Sequence, residues 1–200
     1  MRSPVVRSTF DVVLWLLARG ASAGVRLSAQ KLQRLLYLAQ AHFAAANEGR
    51  KLMPATFLAT ELGPLELTVY HVFDGQPPKL KASAVKTEVV LFLDGLWNRY
   101  GQQSADDLLD LVKRDLAYRE CLAEGERNVE IEIAAMADAY HLSPPLVDPP
   151  PDDREFWTMS GVKAEKWVPG GGKQAPKSAP RAAKPTPKPE PEPAAAIDFD

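Results

Sequence analysis

Apolar residues recur with helical spacing through most of the first 145 positions. From about Thr9 to Arg19, the residues Val12, Val13, Trp15, Leu16 and Leu17 cover much of a helix circumference and predict a buried segment. Ser8 is placed to cap it, with Asp11 three residues on at capping-box spacing, and Gly20 is placed to end it. The clearest pattern follows Ser28. Leu32, Leu35, Leu36, Ala39 and Phe43 share one helical face, while Lys31, Gln33, Arg34 and Gln40 lie mostly off it, and Asn47 and Gly49 close the segment after Ala46.

The period then changes. Over Thr56–Glu61, Phe57 and Ala59 alternate with Thr56, Leu58 and Thr60, which predicts one short strand. Gly63-Pro64 breaks the chain. Pro64 suits the first position of a third helix carrying Leu65, Val69, Tyr70 and Phe73, because its missing N–H would be unbonded there in any case. After a loop at Gly75–Pro78, a fourth helix is predicted over about Lys86–Tyr100, with Gly101 as its stop. A fifth is predicted over Ala105–Ala123, capped by Ser104 with Asp107 three residues on, and a sixth over Val129–His141, capped by Asn128. Ile131 and Ile133 also suit a strand. The expected architecture is mainly α, a compact bundle of about six helices around a buried central helix, with one short strand or hairpin.

Proline use sets the limits of that bundle. Of 18 prolines only Pro4, Pro54, Pro64, Pro77 and Pro78 precede Ser143. The expected division is a helical domain over 1–145, a Pro- and Trp-containing extension over 146–168, and a Pro/Lys/Glu tail over 169–200. The tail has too little apolar surface to offset the entropy of ordering and reads as a disordered, polyproline-like spacer. Its charges are segregated, with Lys173, Lys177, Arg181, Lys184 and Lys188 ahead of Glu190, Glu192, Asp198 and Asp200. Ile197, Asp198, Phe199 and Asp200 form an apolar–acidic peptide suited to docking. An inert charged tail is the competing reading.

Composition narrows the chemistry. A hydrophobic content of 46 % is enough for a core, and a formal charge of −2 gives no overall pull toward nucleic acid or anionic lipid. One cysteine, Cys121, rules out an intrachain disulfide and argues against a thiolate zinc site. No secretory leader and no apolar run of membrane-spanning length is evident, so a cytoplasmic protein without a membrane partner is expected. His42, His71 and His141 lack metal-ligand spacing, and no nucleophile elbow, phosphate-binding loop or dinucleotide fingerprint occurs. No catalytic residue, metal or cofactor is assigned, and the chain is expected to be a non-enzymatic binder. Glu61, just ahead of Gly63-Pro64, reads either as a carboxylate facing a pocket or as a local cap for helix N–H groups.

Three stretches carry a family resemblance. The run Leu27-Ser28-Ala29-Gln30-Lys31-Leu32-Gln33-Arg34-Leu35-Leu36-Tyr37-Leu38-Ala39-Gln40 resembles the K-L-Q-K-L-L-Y-x-A-Q motif of the Panacea domain. Glu61-Leu62-Gly63-Pro64 with Val69-Tyr70 is similar to the family's Gly-Pro element. Leu96-Trp97-Asn98-Arg99-Tyr100-Gly101, then Ser104-Ala105 and Leu108, is similar to a later stretch. The resemblance spans about residues 8–141 and includes SocA-like antitoxins. It implies a protein that binds and neutralises a toxin encoded beside it, with ClpX or the ClpXP protease as a further partner where the antitoxin acts as an adaptor. Matching positions make Lys31, Gln33, Tyr37, Gln40, Glu61 and Tyr70 candidates for partner binding, and the tail peptide a candidate for protease docking. Tyr37 also suits the core. The competing reading is a DNA-binding regulator of its own operon, with Lys31, Arg34, Arg26 and Arg50 as its cations. An enzyme using Glu61 and a histidine is a third.

Overall fold

The computed structural model of the chain describes residues 3–73, 80, 83–123 and 128–147, all within a unit spanning Met1–Asp152. The Gly75–Pro78 loop, residues 148–200 and with them the peptide Ile197-Asp198-Phe199-Asp200 lie outside the described residues. The fold is mainly α. Seven helices are present among the described residues: α1 (Thr9–Ser22), α2 (Ala29–Ala46), α3 (Leu67–Val72), α4 (Thr87–Tyr100), α5 (Ala105–Lys113), α6 (Leu116–Ala123) and α7 (Ile133–Tyr140). Three short strands, β1 (Leu58–Thr60), β2 (Gly63–Leu65) and β3 (Val129–Glu130), form an antiparallel sheet in the order β2-β1-β3.

Helix α2 is the axis of the molecule. It is capped by the Ser28 hydroxyl, which accepts from the Lys31 amide. Every residue from Lys31 to Ala44 is buried, so the helix is enclosed on all sides and not only along its apolar stripe. It packs most extensively on α7 and also meets α1, α3, α4, α5 and β2. Leu32, Leu35, Leu36 and Leu38 join Leu16 of α1, Leu93 and Leu96 of α4, and Leu108 of α5 in a single core.

Five local expectations are corrected. Pro64 does not open a helix. It lies in β2 opposite Ala59, an edge-strand position where a missing N–H costs no ladder bond. Helix α3 begins three residues later, and the Glu66 carboxylate caps it by accepting from the Val69 amide at 2.6 Å. The predicted fifth helix is two helices. Asp115 turns its carboxylate onto the Ala117 amide at 2.8 Å and starts α6 afresh. Asn128 caps no helix. It adopts a left-handed φ of 60°, which asparagine tolerates, and feeds β3, so that α7 starts only at Ile133. Asp11 does not complete a capping box with Ser8. Its carboxylate accepts from the distant Ser83 amide instead, and α1 runs past Gly20 to Ser22. The capping box at Ser104 and Asp107 does form. The alternation over the predicted strand is also present, with Phe57 and Ala59 buried and Leu58 half-buried.

Candidate partner-binding site

The polar residues of α2 are brackets between this helix and the rest of the chain. Lys31 is buried, and its Nζ donates to the Gly101 carbonyl at 2.7 Å, tying α2 to the end of α4. Burial lowers its pKa. Gln33 holds the peptide of Glu66 from both sides: its Nε2 donates to the Glu66 carbonyl at 3.1 Å, and its Oε1 accepts from the Glu66 amide at 2.8 Å. Arg34 donates from one Nη to the Leu62 carbonyl at 3.1 Å and from the other to the Ala105 carbonyl. Gln40 accepts from the Met53 amide at 3.2 Å, while its Nε2 meets no acceptor among the described residues.

Tyr37 and His42 belong to a buried polar string. The Tyr37 hydroxyl donates to Asp115 Oδ2 at 2.6 Å, and its ring stands edge-on to Phe57. Burial is the main cause raising the Tyr37 pKa, with the Asp115 charge adding to it. Burial also raises Asp115, against hydrogen bonds from Tyr37, the Ala117 and Tyr118 amides and Tyr140 that favour its charged form. His42 lies 2.7 Å from the Tyr100 hydroxyl and 4.6 Å, ring to ring, from Tyr140. Burial, with Arg99 assisting, lowers its pKa to about 4, so it is neutral at pH 7.

Two of the sequence candidates occupy a different setting. Glu61 is exposed at the β1–β2 turn, and Tyr70 is 58 % exposed on α3. Both line a groove of about 920 Å³ running between the start of α2 (Ala29, Gln30), the β1–β2 hairpin, Leu122 of α6 and Asn128. Gln33 and Arg34 contribute to its wall. Leu62, at the tip of the hairpin, is 73 % exposed, and Leu67 and Val72 of α3 are exposed nearby in sequence. The structure therefore brings Gln33, Glu61 and Tyr70 to one groove, whereas Lys31, Tyr37 and Gln40 are enclosed elsewhere along α2. Sequence reasoning missed Leu62: it carried no chemistry of its own, and only the tightness of the turn could have signalled its exposure. It also passed over Asp115, the centre of the buried string.

A second groove of about 780 Å³ lies at the other end of α2, among Phe43, Arg50, Lys86, Phe92 and Tyr140. The segment leaving α7 crosses α4 here, where Arg99 donates to the carbonyls of Pro144 and Pro145, each at 2.8 Å.

The geometry also bears on the other two chemistries. Of the four cations named for DNA, Lys31 and Arg34 are buried against carbonyls, and only Arg26 and Arg50 are exposed. No histidine among the described residues lines the groove that holds Glu61. Among the described residues no group of three or more His, Cys, Asp or Glu side chains is placed to hold a metal, and no helix is long and apolar enough to cross a membrane. Comparison with family models, curated proteins and solved structures returns no match to this chain.

Proposed function

We propose that this protein is a non-enzymatic, cytoplasmic antitoxin of a toxin–antitoxin pair, binding its protein toxin through the groove beside the β1–β2 turn. The observation that carries the reading is the pairing of an exposed apolar rim, Leu62 with Tyr70, with a wall that the Panacea-like motif holds in place through Gln33 and Arg34. Exposed apolar groups gathered at one groove mark contact surfaces more often than scattered ones do. On this reading the motif residues divide their labour. Lys31, Tyr37 and Gln40 fix α2 within the fold, Gln33 and Arg34 fix the hairpin and the start of α3, and Glu61, Leu62 and Tyr70 meet the partner.

Delivery to ClpXP is the second half of the proposal. An adaptor needs one surface for cargo and another for the protease, and Ile197, Asp198, Phe199 and Asp200 on their Pro-rich tether supply a candidate for the second.

The test is co-expression with the neighbouring open reading frame. That frame alone should arrest growth, and this chain should restore it and co-purify with the product. A harmless neighbour, or arrest that this chain does not relieve, would refute the antitoxin reading. Deleting residues 170–200 should leave co-purification intact and abolish turnover of the toxin; unchanged turnover would sink the adaptor half alone.

A further inference from the structure

Arg34 is only 3 % exposed, yet it lines the groove beside Gln30, Thr60, Gly63 and Tyr70. Taking a guanidinium out of water costs several kcal/mol unless an opposite charge compensates, so buried arginines normally sit against carboxylates. Among the described residues Arg34 has no such contact. Its bonded partners are the neutral carbonyls of Leu62 and Ala105, and the acid that acts on it from a distance, Asp106, is exposed on α5. Those carbonyls engage two of its five N–H groups. Its Nε lies beside Gly63, where a Cβ would stand in ordinary van der Waals contact at 3.5 Å.

The surroundings favour a polypeptide over a small anion. Leu62 and Tyr70 stand exposed on the rim, and Leu65 and Leu122 line the same groove. A free anion would fill one corner of about 920 Å³ and leave this apolar surface in water. An acidic side chain flanked by apolar neighbours would use both features, since carboxylates match the fork of arginine N–H donors.

We propose that Arg34 is the anchor of the groove, receiving an Asp or Glu side chain of a partner polypeptide whose flanking apolar residues lie on Leu62 and Tyr70. The inference rests on the reading of this groove as the partner surface and adds the chemistry of what binds there.

The test uses the full chain and two defined peptides, acetyl-Ala-Leu-Glu-Leu-Ala-amide and its Gln counterpart, followed through the arginine Nε–Hε NMR resonances. The Glu peptide should shift the Arg34 resonance and bind about tenfold more tightly than the Gln peptide, as a charge-assisted pair should. Added salt should narrow that difference. Arg34→Lys, which also loosens the hairpin that Arg34 holds at Leu62, should weaken the Glu peptide more than the Gln peptide. If that variant does not fold, the comparison of the two peptides on the wild-type chain decides alone. Equal binding of the two peptides, or no shift of Arg34 at millimolar Glu peptide, would overturn the proposal. So would inorganic phosphate shifting Arg34 as strongly as the Glu peptide does. Any of these results alongside intact neutralisation of the neighbouring product would remove the acidic anchor and leave the antitoxin reading standing. The expected peptide behaviour without neutralisation would remove only the antitoxin reading.

Discussion

Tyr37→Phe isolates one bond of the buried string. The substitution keeps the ring, and with it the edge-on contact to Phe57 at 5.6 Å, so no cavity opens. What is lost is a 2.6 Å donor to Asp115 Oδ2, with Tyr37 fully buried and Asp115 8 % exposed. A hydrogen bond to a charged, buried acceptor is worth about 2 kcal/mol. With a urea dependence of about 2 kcal/mol/M, the unfolding midpoint should fall by about 1 M at pH 7 with an unchanged slope. The loss should also depend on pH. Burial raises the Asp115 pKa above its usual value, so the folded state holds this proton more tightly, and the group's contribution to stability declines as pH rises through its folded pKa. The Tyr37 hydroxyl offsets part of that decline, because it favours the charged carboxylate. The gap between variant and wild type should therefore be widest at neutral pH and should close as the solution is acidified and Asp115 takes up its proton. Urea melts at several pH values provide the assay. A midpoint equal to wild type at pH 7, or a loss that stays constant down to pH 4, would refute this account of the string.

Other consequences follow from neighbouring groups. His42 has its pKa lowered from 6.5 to about 4 by burial, so it resists protonation when folded. Its contribution is fully present above pH 6.5 and should be lost as pH falls from there toward 4, by up to about 3 kcal/mol. His42→Gln should flatten this part of the stability–pH curve, and an unchanged curve would contradict the burial. Gly95→Ala would drive a Cβ into the Leu146 carbonyl oxygen. Alanine favours α4 by about 1 kcal/mol, so the clash should displace residues 144–147 and leave the core folded. Limited proteolysis should then cut the variant near Leu146 faster than wild type, at an urea midpoint near the wild-type value.

The sequence made some of this arrangement readable and hid the rest for physical reasons. The apolar stripe Leu32, Leu35, Leu36, Ala39 and Phe43 revealed α2, and Gly101 marked the end of α4, because periodicity and helix stops are local signals. Pattern alone did not reveal that Lys31, Gln33, Arg34 and Gln40 are buried as well. Their burial depends on backbone groups of Gly101, Glu66, Leu62, Ala105 and Met53, all distant in sequence. Pro64 misled because it suits a helix start and an edge strand equally, and pairing with Ala59 decided between them. Asp115 was invisible as a helix break because its capping bond and its tyrosine partners exist only once the chain has folded. Of the groove, Glu61 and Tyr70 were legible through their spacing around Gly-Pro. Leu62 was not, since a lone leucine reads as core until a turn carries it outward.

The division between framing residues and contact residues is tested most directly by Leu62→Asp combined with Tyr70→Ala, co-expressed with the neighbouring gene. Both side chains are exposed, at 73 % and 58 %, and substitutions at such positions ordinarily change stability by no more than about 0.5 kcal/mol. The variant should therefore melt like wild type while growth stays arrested and the two products no longer co-purify. Full rescue of growth by this stably folded variant would contradict the assignment of the groove as the contact surface.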